Sequence, residues 1–171
     1  ITTGDIDFGS TDNCGISNYS LSQSVFTCND IGANTITFTV EDAYGNTNSC
    51  PSTVTVLDTA RPVAACNNMT VYLDNTGSSY ITTGDIDNGS IDNCGIASYS
   101  LSKNTFNCND IGSNTITLTV EDNYGNTDSC PSTVTVLDTS MPTAVCQNLV
   151  IYLGNTGSTY ITTGDVDNGS I

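Results

Sequence analysis

The sequence predicts an all-β protein built as tandem β-sandwiches, each of about seven short strands. Three observations carry that prediction. The string Ile-Thr-Thr-Gly-Asp begins at Ile1, Ile81 and Ile161, so the 171 residues follow an 80-residue period. Residues 1–60 match 81–140 at 47 of 60 positions, and 61–91 match 141–171 at 21 of 31, so the units are near copies. Within a unit the apolar residues alternate with polar ones, the period of a half-buried strand, and no stretch has the spacing of an amphipathic helix.

The elements of residues 61–140 are read in order. Met69, Val71 and Leu73 give an opening strand, closed by the turn residues Asp74-Asn75-Thr76-Gly77. Ile81, Ile96, Tyr99, Leu101, Phe106 and Ile111 are assigned to the core. Ile116, Leu118 and Val120 form one inward face, with Thr115, Thr117 and Thr119 as β-branched residues on the other. The turn Asn123-Tyr124-Gly125-Asn126 leads to the closing strand, with Val134 and Val136 inward. Prolines after Val-Leu-Asp-Thr place the boundaries near residues 59–61 and 139–141. The expected organisation is a partial unit at 1–60 lacking its first strands, a complete unit at 61–140, and the start of a third at 141–171. Because 171 is two periods plus eleven residues, the chain reads as a window on a longer array.

Composition narrows the function. Eighteen acidic residues face two basic ones, Arg61 and Lys103, for a net charge of −16. Such a surface does not neutralise phosphates, so neither nucleic acid nor an anionic membrane is an expected partner. No run of apolar residues is long enough for membrane insertion, and no signal peptide follows Ile1, so a soluble segment is expected. There is no His, which removes the commonest general base and activator of nucleophiles; the chain is not expected to be an enzyme.

The order Cys66, Asp92-Asn93-Cys94-Gly95, Phe106 to Gly112, Glu121-Asp122, Gly125-Asn126, Cys130 and Val134-Thr135-Val136 resembles the hyalin repeat, an immunoglobulin-like domain. The pattern covers every unit of the chain. The Thr/Asn/Asp-rich version resembles arrays in giant surface adhesins of gliding flavobacteria. The resemblance implies an immunoglobulin-like fold, an extracellular location at the cell surface and a part in adhesion.

Eight cysteines, at 14, 28, 50, 66, 94, 108, 130 and 146, repeat spacings of 14, 22 and 16. That density in a small β-unit implies disulfides and an oxidising compartment, while the absence of His and of Cys-x-x-Cys argues against zinc. A fold-back around residues 102–104 would bring Cys94 to Cys108, so the expected local pairs are Cys14–Cys28 and Cys94–Cys108. Cys130 has Cys146 as an alternative partner, but the strand between them carries them apart at about 3.3 Å per residue. Cys66–Cys130 is therefore preferred, and it is the pair the resemblance implies. Cys50 and Cys146 are left without partners.

With Cys66 bonded to Cys130, the acidic loops gather at the end of the unit entered from Asp58. The expected cluster is Asp58, Asp85, Asp87, Asn88, Asp92, Glu121, Asp122 and Asp128, repeated upstream by Asp5, Asp7, Asp12, Glu41 and Asp42. Oxygen donors in such number suit Ca²⁺, which takes six to eight. The run 85–92 has the alternating Asp-x-Asp-x-Gly-Ser-x-Asp spacing of a cation loop but is no EF-hand, since it lacks the closing Glu. Solvated turn residues are the alternative origin of the same composition. The expected role is a structural stalk or filament of a secreted adhesin, its partners being neighbouring repeats of the chain. A module that binds surface glycans or proteins through Tyr72 and Tyr124, and a self-assembling filament subunit, are the competing readings.

Overall fold

The computed structural model describes residues 1–170. Its strands are β1 (Ile16–Leu21), β2 (Gly32–Asp42), β3 (Thr47–Val56), β4 (Met69–Tyr72), β5 (Ser78–Tyr80), β6 (Ile96–Leu101), β7 (Thr105–Asn107), β8 (Gly112–Asp122) and β9 (Thr127–Leu137). One sheet has the order β1-β2-β3, a second β4-β9-β8-β6, and β5 pairs with β7 in a third. β4 runs parallel to β9, Val71 facing Val136, while the remaining pairs are antiparallel. A first strand lying parallel to the last, with hairpins between, gives an immunoglobulin-like β-sandwich.

The alternation in the sequence is what places the core. On β8, Ile116, Leu118 and Val120 are at most 1% exposed, and their cross-strand neighbours on β9 include Ser132 and Cys130. They pack with Val71, Leu73, Ile81, Ile86, Phe106, Val134 and Val136. Ser132 is also inside, and its hydroxyl donates to the Asn67 carbonyl at 2.5 Å, tying β9 to the segment that leads into β4. Two expected core residues are not there. Tyr99 lies on the edge strand β6 and is 38% exposed, and Ile111, just past the 3-10 turn Cys108–Asp110, is 53% exposed. Ile96 and Leu101 are packed against the core but only partly covered.

Helical turns, which the periodicity did not predict, occur at α1 (Thr83–Ile86) and α2 (Thr163–Val166), with a 3-10 turn at Thr3–Asp5. Each starts at the second Thr of Ile-Thr-Thr-Gly-Asp, with the first Thr as its cap. The Thr82 amide and hydroxyl both donate to Asp85 Oδ2, at 2.7 and 2.6 Å, which satisfies donors that a helix start otherwise leaves open. Thr2 with Asp5 and Thr162 with Asp165 do the same.

The sulfur pairing differs from expectation for two of the three expected pairs. Cys66 is bonded to Cys130, and Cys28 is bonded to Cys94, 66 residues away. The expected Cys14–Cys28 and Cys94–Cys108 bonds are therefore not formed; Cys14, Cys50, Cys108 and Cys146 are free and exposed. The reason is the direction of the chain. Cys94 precedes β6 on the side facing the N-terminal sheet, whereas Cys108 follows β7, with its sulfur against Gly77. The two ends of the segment thus point to different neighbours. Gly77 itself sits at φ +75°, and a Cβ there would lie 2.8 Å from the Cys108 sulfur.

Candidate metal centre

The segment leaving β3 passes Asp58 and Arg61, then runs beside the strand-like stretch 87–91 through bridges Val63–Ile91 and Cys66–Asp87. That antiparallel contact carries Asp92 back to Asp58. The β8–β9 turn delivers Asp122 to the same place. One carboxylate oxygen from each of Asp58, Asp92 and Asp122 lies within 4.8 Å of the others.

The hydrogen bonds around these carboxylates hold them facing one another. Asp122 is 2% exposed; its Oδ1 accepts the amides of Tyr124 and Asn126 at 2.8 Å, and its Oδ2 accepts Asn126 Nδ2 at 2.7 Å. Burial raises the pKa of this carboxyl, but the Asn126 side chain and the turn amides outweigh it and hold the value below the usual range. Asp92 Oδ2 accepts the Cys94 amide at 2.8 Å, and Asp58 Oδ1 accepts the Ala60 amide at 3.1 Å and Asn93 Nδ2 at 3.4 Å. Asn126 Nδ2 also reaches the Asp58 carbonyl at 3.3 Å. The other oxygens, Asp58 Oδ2 and Asp92 Oδ1, are buried and have no hydrogen-bond partner.

Buried carboxylate oxygens without donors are costly, and three facing carboxylates repel. Neither basic residue relieves them. Lys103 pairs with Asp110, and the charge of Arg61 acts on Asp128. Ca²⁺ fits the donor set, because it binds oxygens at about 2.3–2.6 Å and so accommodates ligand atoms up to about 5 Å apart across the ion. Asp58, Asp92 and Asp122 would hold it.

The other acidic residues singled out in the sequence lie outside this group. Asp85 caps α1, and Asp87 Oδ1 accepts the Ser90 hydroxyl at 2.5 Å. The Asn88 amide donates to Ala65, Glu121 accepts the Ser98 hydroxyl, and Asp128 accepts the Ala64 amide at 2.9 Å. Upstream, Asp5 caps its own turn, Asp7 binds Ser10, Asp12 accepts the Cys14 amide and Asp42 accepts Tyr44 and Asn46. Asp12, Glu41 and Asp42 share a groove that has no counterpart of Asp58 among the described residues. Asn93 and Asn126, which position Asp58, were not identified from sequence; their adjacency to Asp92 and their place in the Asp-x-x-Gly-Asn turn were the available signals.

No family model matches this chain, and no curated protein does. Solved structures similar to it include extracellular cadherin domains 1–4 of protocadherin gamma B7, with 13% identity, 80% of this chain and 46% of that chain covered, and a TM-score of 0.40. The protocadherin gamma B4 extracellular domain gives 14% identity, 82% and 29% coverage, and 0.40. An endo-fucoidan hydrolase of glycoside hydrolase family 107 gives 17%, 74% and 23%, and 0.34. The chain spans less than half of each of these solved chains. At this level of similarity no conclusion about this chain follows from the likeness.

Proposed function

We propose that the chain is a stretch of the stalk or filament of a secreted cell-surface adhesin, made of hyalin-repeat-like units at 1–60, 61–140 and 141–171 in series. The two disulfides suit an extracellular, oxidising setting. The role is mechanical, as in the surface adhesins of gliding bacteria that the sequence resembles: the units add length and hold a distal adhesive part away from the cell. No residue is assigned catalysis.

The observation that carries this reading is the meeting of Asp58, from the exit of the N-terminal sheet, with Asp92 and Asp122 of the following sandwich, two of their oxygens unpartnered. A Ca²⁺ ion there fastens one unit to the next and stiffens the joint. Calorimetric titration of Ca²⁺ into chelator-treated protein tests it. Binding of one ion per chain is expected, with a rise in melting temperature and a narrower spread of shapes in small-angle scattering. Melting and scattering curves identical in Ca²⁺ and in EDTA would remove the ion from the account.

A further inference from the structure

The two sulfur bonds overlap along the chain. Cys28–Cys94 closes one loop and Cys66–Cys130 another, and the stretch from Cys66 to Cys94 lies in both. Every peptide bond between Cys28 and Cys130 is therefore inside at least one closed loop. The joint between the two sheets, where Leu57 is 72% and Val63 59% exposed, is bypassed by Cys28–Cys94. The bend at Ser102–Asn104 between β6 and β7 is bypassed by Cys66–Cys130, and the turn Asp74–Gly77 by both.

We propose that these interlocked loops make the protein a cut-tolerant tether of limited extension, whose covalent continuity survives a single backbone break anywhere between Cys28 and Cys130. Exposed joints and turns are where proteases cut, so a strand of protein outside the cell needs continuity there above all. Pulling on the ends is limited in the same way. The shortest covalent route from Cys28 to Cys130 crosses to Cys94, returns along the backbone to Cys66 and crosses again, using 28 residues of backbone instead of 102. Even fully unfolded, that route reaches roughly 95 Å, against roughly 350 Å for the open chain. Cys108 stands 80 residues after Cys28, and Cys146 80 after Cys66, so the same two bonds repeated would continue the ladder along an array. This deepens the stalk reading, and rests on it for its purpose, but not on the ion.

The test places a specific protease site at residues 59–61, in the turn 74–77 or in the bend 102–104, cuts the folded protein, and compares denaturing gels without and with reductant. The cut protein is expected to migrate as one species without reductant and as two fragments with it, at all three sites. In Cys28→Ser/Cys94→Ser only the cut at 59–61 separates the halves without reductant; in Cys66→Ser/Cys130→Ser only the cut at 102–104 does. Force spectroscopy on the uncut protein reads the same bonds, with reductant adding roughly 250 Å between Cys28 and Cys130. Fragments that part without reductant in the wild-type protein, or an extension unchanged by reductant, overturn the proposal. Neither readout involves Ca²⁺, so a failed ion titration leaves this result standing, and separated fragments leave the ion reading standing.

Discussion

A carboxylate that already has its donors differs from one that lacks them, and the contrast between Asp85 and Asp92 shows it. Asp85 accepts two hydrogen bonds from Thr82, whereas Asp92 has one oxygen satisfied by Cys94 and one buried without a partner. Asp92→Asn is therefore expected to weaken Ca²⁺ binding by at least tenfold in calorimetric titration, and Asp85→Asn to lower the melting temperature without changing ion affinity. Equal affinities in the two variants would exclude Asp92 as a ligand. The capping carboxylates also set the acid response. Hydrogen bonds from Thr82 to Asp85, from Ser90 to Asp87 and from Thr76 to Asp74, together with Lys103 beside Asp110, hold these carboxyls below the usual range. Since the folded pKa lies below the unfolded value of about 3.9, their contribution is complete above that pH and is lost as pH falls through the folded values. Melting in chelator should be nearly flat above about pH 5 and should fall steeply below about pH 4.

At the scale of elements, what could be read from sequence follows from how many residues repeat a pattern. β8 and β9 each hold eleven residues, and their alternation of Thr with Ile, Leu or Val identifies both strand and inward face. α1 is a single turn, too short to show a helical period, and only its Thr-x-x-Asp cap marks it. Edge strand β6 has the right pattern but an incomplete cover, so Tyr99 is apolar in the sequence and half outside in the fold. Alternation reports which face a residue occupies, not how much lies over that face. The two faces of β8 give a direct check by urea denaturation. Leu118→Ala, from a fully buried position, is expected to cost about 2–5 kcal/mol. Thr115→Ala, on the exposed face, should stay within about 0.5 kcal/mol. Similar losses at both positions would contradict the sandwich orientation.

For the whole molecule, the joint between sheets matters most, and it was the least legible part. For Cys28 and Cys94, sequence spacing points to partners 14 residues away, because no pattern in the chain displays the contact between one sheet and the next. The partner of Cys28 is instead set by how one sheet seats on the next. Of the expected cation cluster, the three residues that meet come from three separate segments, and their neighbours in the 85–92 run are used in local turns. The sulfur bond and the carboxylates fasten the same joint: Cys94 donates its amide to Asp92, and Asn93, between them, donates to Asp58. A joint held by a covalent bond has already lost the orientational freedom that an ion would otherwise have to remove, so the bond should raise ion affinity. Cys28→Ser/Cys94→Ser is thus expected to bind Ca²⁺ about tenfold more weakly, a difference of about 1.4 kcal/mol, while the melting of its central sandwich in EDTA changes little. Scattering should show a broader range of lengths for this variant without Ca²⁺ and recovery of the wild-type profile at saturating Ca²⁺. If the variant binds Ca²⁺ as tightly as the wild type, the carboxylates are held in place without the sulfur bond, and the stiffness of the joint has to be attributed to the segment 57–62 and its packing instead.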